Sequence, residues 1–228
     1  MENMIKFFEN GVITINHPIA LYILGIVICV VVPYLLGSLN FGVMISNKKY
    51  GDDVRSHGSG NAGATNMLRT YGKRAAALTL LGDALKAIVS TLLGLLLMPG
   101  DGFAYVAAFF CMVGHAYPVF FKFKGGKGVV VAAASMLVLN PIMCVLCILI
   151  FIVIVAFTGY VSLGSILAAF LFPLMNYRLP VYFPSFPIKT IFCIFMGLFI
   201  IFLHRKNMVR LFNGTENKFG KNKQEKLK

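Results

Sequence analysis

The chain has 228 residues, of which 58% are hydrophobic and 13% charged, where soluble globular domains carry about 25% charged residues. So little polar side chain cannot cover a soluble globule, and the composition places the protein in a membrane. Its formal net charge of +13 is carried by short polar stretches between long apolar ones.

No charged side chain lies between Glu9 and Lys48, between Asp101 and Lys122, or between Lys127 and Arg178. Each gap has room for at least one membrane-crossing helix of about 20 residues, and the last must hold several. The first apolar run is read as a retained span. Lys6 there is accompanied by Glu2 and Glu9, and the run continues far beyond a signal-peptide core without a small-residue cleavage site.

Apolar length and breaker residues predict seven helical segments, at about 18–46, 75–98, 103–121, 129–139, 142–157, 161–175 and 187–203. Asn140-Pro141 divides the long run from Val129 to Phe157, so a tight turn is expected there with a helix on either side. The short segment 129–139 fits either a span or a re-entrant helix lined by protein. The expected fold is therefore an all-α integral membrane protein of about seven transmembrane helices. It forms a single domain over 1–228, with a basic tail at about 214–228 that is read as solvated. No internal repeat is visible.

The placement of Lys and Arg orients this arrangement. Six lie in 47–74, three in 122–128 and eight in 204–228, whereas only Lys6, Arg178 and Lys189 fall on the other side. Positive residues collect on the cytoplasmic face, which predicts an outside N-terminus and a cytoplasmic C-terminus. The five cysteines, Cys29, Cys111, Cys144, Cys147 and Cys193, all sit in apolar runs and read as small buried hydrophobes. Cys144 and Cys147 spell C-x-x-C in a setting that offers no electropositive exposure for redox chemistry.

Three polar stretches share the expected cytoplasmic face. In Gly58-Ser59-Gly60-Asn61-Ala62-Gly63-Ala64-Thr65-Asn66 small residues let backbone N–H groups approach an anion, and hydroxyls and amides add donors. Arg69 just beyond can grip a phosphate in a bidentate way, and Arg55 and His57 upstream add positive charge. In Gly125-Gly126-Lys127-Gly128 a lysine between glycines precedes a helix whose N-terminal end favours an anion. A nucleotide P-loop is excluded, because Phe121 stands where its first glycine belongs and Gly128 replaces the metal-binding hydroxyl. In the third stretch His204 is followed by Asn207 on the same helical face, with Arg210 and Glu216 beyond.

Inside the second segment, Asp83 and Lys86 would each cost about 2.5–3.5 kcal/mol at a bilayer centre if unpaired. They can pair on one helix face, as a structural ion pair or as part of the site. His115 reads as a loop-orienting or core residue, His17 falls on the opposite face, and Ser162 and Ser165 form a polar patch at the start of the sixth segment. No G-x-S-x-G hydrolase elbow occurs, no histidine has an acidic residue at the H-x-x-x-x-D spacing, and no acidic cluster suits two-metal catalysis. No metal and no cofactor are expected.

The stretches GSGNAGATNMLRTYG (58–72), GHAYPVFFKFKGGKG (114–128), YVSLGS (160–165) and HRKNMVRLFNGTE (204–216) resemble, in order and spacing, the bacterial PlsY family of acyl-phosphate:glycerol-3-phosphate acyltransferases. The resemblance spans nearly the whole chain. It implies transfer of a fatty acyl group from acyl phosphate to the 1-hydroxyl of sn-glycerol 3-phosphate, giving lysophosphatidic acid and inorganic phosphate, at the cytoplasmic face of a bacterial cell membrane. The implied partners are the two substrates and membrane lipid, with no nucleic acid and no obligatory protein partner. It also puts Ser59, Arg69, Lys127, Ser162, His204 and Asn207 at positions the family uses around its phosphate-bearing substrates, with His204, Ser162 and Asn207 expected to be catalytic and Ser59, Arg69 and Lys127 to hold phosphate, while Asn66, Gly126 and Gly128, read from the composition of their loops, are expected beside the phosphates. Asn40, where the family commonly has proline, and Lys206, where it frequently has glutamate, depart from the pattern. A small anionic-solute or lipid transporter is the rival reading, with Asp83 and Lys86 as its intramembrane charges. A lipid-docking scaffold is a third, which leaves the glycine clusters unexplained.

Overall fold

The computed structural model describes residues 18–98, 102–178 and 187–219, all of it helix, turn and loop with no strand among the described residues. In chain order the helices are α1 (Ile19–Ser38), α2 (Phe41–Tyr50), α3 (Ala64–Tyr71), α4 (Lys73–Leu97), α5 (Gly102–Ala116), α6 (Val129–Leu139), α7 (Pro141–Thr158), α8 (Val161–Arg178), α9 (Pro187–Leu203) and α10 (Arg205–Phe212). The protein is an integral membrane protein of all-helical class. The expected residues at 1–17, and the last part of the basic tail at 220–228, lie outside the described residues.

Each of the seven expected segments contains a helix, but the first is broken. Asn40 caps α2 by accepting a hydrogen bond from Val43 N at 3.2 Å, which ends α1 at Ser38 and starts a new helix. The turn at Asn140-Pro141 is as expected. Asn140 Oδ1 accepts from Met143 N at 3.2 Å and Pro141 takes the first position of α7, where its missing N–H costs nothing.

By length and hydropathy, the stretches Ile19–Tyr50, Lys73–Leu97, Gly102–Phe121 and Pro141–Thr158 suffice to cross a membrane. The pair α9 and α10, bent by 54° between Leu203 and Arg205, is a fifth if counted as one span. The apolar parts at Val129–Leu139 and Val161–Met175 are shorter.

Helix α5 is the hub of the bundle, packing against α1, α4, α6 and α9. Its Tyr105, Ala108, Cys111 and Met112 are fully buried among Met136, Met143, Phe172 and Met196. Contact with α1 is close because glycines face it on both sides. A Cβ at Gly37 would fall 2.1 Å from Cys111 O, and one at Gly114 2.1 Å from Tyr34 O. Helices in lipid gain from this approach, since association there relies on van der Waals packing rather than on the exclusion of water. Helix α7 sits at the rim, with Ile142, Val145, Ile148, Leu149 and Ile152 exposed as a lipid-facing surface. Cys29, Cys111, Cys144 and Cys193 are buried, in keeping with a packing role.

A smaller core of Val43, Val54, Ala62, Met67 and Ala75 supports the polar segment between α2 and α4. Gly42 allows the loop to settle on α2, because a Cβ there would meet Ala62 O at 1.9 Å. The loop is thus anchored to the helices.

Gly114→Leu should wedge α1 from α5 and destabilise the protein by about 1–3 kcal/mol. A lower thermal unfolding midpoint in detergent is the expected readout, with Leu149→Ala on the lipid-facing rim near wild type. Equal midpoints for Gly114→Leu and wild type would show that the α1–α5 contact does not depend on small residues.

Candidate active site

The loop from Gly58 to Asn66 is built around one side chain. Asn66, 1% exposed, accepts from Ser59 N at 2.9 Å and donates to the carbonyls of Val54 at 2.9 Å and His57 at 3.0 Å. Gly58 has φ +58°, and a Cβ there would approach Asn66 Oδ1 to 2.3 Å, so both its conformation and its size are required. Asn66 was expected to offer its amide to phosphate. In this structure the amide is engaged inside the loop, which it shapes, while Ser59 is half-exposed and Arg69 on α3 is exposed.

The second loop is held just as firmly. Gly125 N donates to Ala116 O at 3.1 Å and Gly126 N to His115 O at 3.0 Å. The N–H of Gly126 therefore caps the end of α5. Gly128 has φ +75° and lies where a Cβ would come 2.5 Å from Met112 Cγ. The two glycines expected among the phosphate ligands thus act as close-approach residues that set the course of the backbone past Lys127. Arg55 steadies the same loop from outside, donating through Nη1 to Phe121 O at 2.9 Å and Lys124 O at 2.7 Å. Its clamp brackets Lys122 and Phe123, two non-glycine residues that both have φ 56°, a conformation that costs about 1–2 kcal/mol per residue.

The third stretch turns back on itself. Helix α9 ends at Leu203, His204 occupies the bend, and α10 carries Asn207 and Arg210 on one face. Gly214, with φ +66°, reverses the chain, and Thr215 N donates to Arg210 O at 2.8 Å. Glu216 is thereby brought over α10. Beyond it, Phe219 N donates to Gly159 O at 2.7 Å and Lys218 Nζ lies 5.3 Å from the centre of the Tyr160 ring, tying the segment to the α7–α8 turn.

These pieces meet at one carboxylate. Glu216 Oε1 accepts from Ser162 Oγ at 3.0 Å and Asn207 Nδ2 at 2.7 Å, and Oε2 from Arg210 Nε at 2.7 Å. Asn207 Oδ1 in turn accepts from Lys127 Nζ. Arg69 joins at the edge, with Nη2 3.5 Å from Asn217 O. Residues from four distant parts of the chain, at 69, 127, 162 and 204–216, form a single polar site. His204, 3% exposed, has Nδ1 2.8 Å from Ile200 O. A carbonyl only accepts, so Nδ1 carries the hydrogen and Nε2 of the neutral ring is left as the acceptor.

Of the residues expected from the sequence, Lys127 and Asn207 are joined directly, Ser162 meets Asn207 through Glu216, His204 lies at the bend three residues before Asn207, and Arg69 borders them. Glu216 and Arg210 were noted only as lying beyond His204, yet they organise the centre. A lone acid ahead of a basic tail was the available signal. Arg55 was read only as added positive charge near the first loop; its clamp on the second loop was hidden because its carbonyl partners are 66 and 69 residues away. Among the described residues no group of three or more His, Cys, Asp or Glu side chains is arranged to hold a metal ion.

Burial raises the Glu216 carboxyl pKa, but hydrogen bonds from Arg210, Asn207 and Ser162 outweigh that and hold it below the ordinary glutamate value. Lys127 is pushed down to about 8, chiefly by burial and further by the positive charge of Arg210 and Arg69, against the opposing pull of Glu216. The site is a concentration of cations and donors with one internal counter-charge.

A family model described as glycerol-3-phosphate acyltransferase matches residues 27–214. The chain belongs to this family. It is 38% identical over 207 residues to the glycerol-3-phosphate acyltransferase of Clostridioides difficile strain 630, covering 89% of this chain and 99% of that one. It is 42% identical over 196 residues to the enzyme of the same name from Neisseria meningitidis serogroup C, covering 84% and 96%. In three dimensions it resembles the crystal structure of PlsY (YgiH), an integral membrane glycerol 3-phosphate acyltransferase, in its glycerol 3-phosphate form. That likeness has a TM-score of 0.76 at 34% identity, over 86% of this chain and 96% of that one. The lysophosphatidic acid form of the same protein gives a TM-score of 0.73. This chain is accordingly an enzyme, a membrane glycerol-3-phosphate acyltransferase.

The depressed Lys127 has a kinetic signature. Its ammonium is lost as pH rises through about 8, so kcat/KM for glycerol 3-phosphate, which reports the free enzyme, should fall on the alkaline side of about that value. In Lys127→Arg the guanidinium stays charged and this alkaline limb should vanish, whatever the absolute rate. An unchanged limb in the arginine variant would assign it to another group.

Proposed function

We propose that the acyl donor is acyl phosphate, and that the enzyme acylates the 1-hydroxyl of sn-glycerol 3-phosphate to give lysophosphatidic acid and inorganic phosphate. The observation that carries this reading is the array in which Ser162, Asn207 and Arg210 converge on the Glu216 carboxylate while Lys127 is held on Asn207. Donors that surround one oxyanion are suited to a second, and both proposed substrates bring phosphate. The forms in which PlsY (YgiH) was solved, with glycerol 3-phosphate and with lysophosphatidic acid, support the acceptor and the product.

Acyl phosphate is a mixed anhydride with a good leaving group, so the protein's task is to bring two anions together and orient them. Arg69, Lys127 and Asn207, with Ser59 at the loop, hold the phosphates and offset their mutual repulsion. Arg210 and Glu216 keep Asn207 and Ser162 in place. The glycerol 3-phosphate hydroxyl oxygen attacks the acyl carbonyl carbon, a new ester C–O bond forms, and the bond from that carbon to the phosphate oxygen breaks. Phosphate leaves with the electron pair. The hydroxyl proton passes to His204 Nε2, the ring nitrogen not tied to Ile200, or to the departing phosphate.

The excess of Lys and Arg at 47–74, 122–128 and 204–228 supports a cytoplasmic site in a bacterial cell membrane, with the chain forming one domain and its N-terminus outside. On that reading the shorter helices α6 and α8 cross alongside the longer ones, giving seven spans.

Purified protein reconstituted with labelled glycerol 3-phosphate should yield lysophosphatidic acid with acyl phosphate and none with acyl-CoA or acyl carrier protein. Product from a thioester alone would overturn the donor. In the same assay His204→Ala should lower kcat by about a hundredfold if the imidazole takes the proton, whereas near-normal kcat across pH would leave that role to phosphate.

A further inference from the structure

Within the bundle lies a charge cluster that the chemistry above does not use. Asp83 and Lys86 on α4 and His115 on α5 have side chains 2%, 2% and 4% exposed. Lys86 Nζ is 2.8 Å from Asp83 Oδ1 and 3.0 Å from His115 Nδ1, and it donates to Gly37 O at 2.9 Å and Leu39 O at 2.8 Å. Those carbonyls belong to the end of α1, where the break at Leu39-Asn40 leaves C=O groups without helical donors. Asp83 Oδ1 is also 3.5 Å from His115 Nδ1.

Asp83 and Lys86 already neutralise each other, so an ion pair alone would need no histidine. What His115 adds is contact with the glycine loop. The Nε2 edge of its ring, opposite the charge cluster, lies where a Cβ on Gly126 would come within 2.0 Å, and its carbonyl oxygen lies 2.0 Å from where a Cβ on Gly125 would sit. The same carbonyl accepts from Gly126 N at 3.0 Å. The next residue is Lys127, whose ammonium reaches Asn207.

We propose that Asp83, Lys86 and His115 form a positioning unit that sets the place of Lys127 in the phosphate site. The charge cluster fixes the imidazole, and the imidazole is the floor on which the Gly125–Lys127 backbone rests. Lys86 ties that floor to the break between α1 and α2 as well, so the two glycine-rich loops, one following α2 and one preceding α6, are referred to a common buried point. None of the three residues touches substrate. Rotation of the ammonium away would leave a charge unpaired in the apolar layer, which keeps the unit rigid. A displacement of about 1 Å at a positioning group can cost about a hundredfold in rate, which is the scale of control such a floor exerts.

The inference rests on the reading of Lys127 as a phosphate ligand, and a double-mutant cycle separates the two. His115→Ala removes the floor while leaving the Asp83–Lys86 pair intact. It should lower kcat/KM for glycerol 3-phosphate by about tenfold or more. On a Lys127→Ala background the same change should cost less than about twofold, because there is no ammonium left to place. Thermal midpoints of all four proteins in detergent read stability separately, and a merely structural loss would be equal in the two backgrounds. Equal fold-losses in kcat/KM, or wild-type kinetics for His115→Ala, overturn the proposal. If His115→Ala does not fold, Gly126→Ala presses on the ring from the other side, and the same cycle with Lys127→Ala decides by the same criterion. Wild-type activity of Lys127→Ala alone would instead bring down the phosphate reading, so the two failures are told apart.

Discussion

A charge that this chain carries into the apolar layer has to find its partner inside the protein, because the hydrocarbon supplies none. That constraint shapes both polar centres. In the bundle, the Lys86 ammonium is shared between Asp83, His115 and the carbonyls of Gly37 and Leu39. At the site, Arg210, Asn207 and Ser162 are gathered on Glu216, and Lys127 is held by Asn207. The glycines at 37, 114, 125 and 126 permit the close backbone approach that such sharing requires.

The same constraint explains how an acyltransferase can work here with little more than positioned donors. In the proposed reaction both substrates bring phosphate, and a site rich in cations overcomes their repulsion only if the cations are themselves held in place. Glu216 supplies the counter-charge in the free enzyme and keeps Asn207 and Arg210 from separating. On the proposed function, phosphate binding here would exchange part of the donors' contact with the carboxylate for contact with phosphate, with little reorganisation at the moment of reaction.

Much of this was legible in the sequence, for physical reasons that differ by element. Apolar length and the Asn140-Pro141 breaker located helices in all seven segments, and the charge spacing of Asp83 and Lys86 anticipated a pair on one face. The break at Leu39-Asn40 was not foreseen, since the apolar run continues through it and the cap depends on one amide reaching Val43 N. Arg69, Lys127, Ser162, His204 and Asn207 stood out because polar and cationic residues are rare in such a chain. Asn66, Gly126 and Gly128 were expected beside phosphate from the composition of their loops, and the structure gives each a part in shaping those loops that depends on partners the spelling does not show. Glu216 and Arg210 gained their weight from a chain reversal at Gly214 that no local spacing announces.

Whether substrate phosphate binds among the donors gathered around Glu216 is decided by a structure of the enzyme with glycerol 3-phosphate bound. Phosphate oxygens are expected at about 3 Å from Lys127 Nζ and from the Arg69 guanidinium, with His204 Nε2 facing the glycerol hydroxyls. A phosphate held elsewhere, with the Lys127 and Asn207 contacts undisturbed, would contradict that placement.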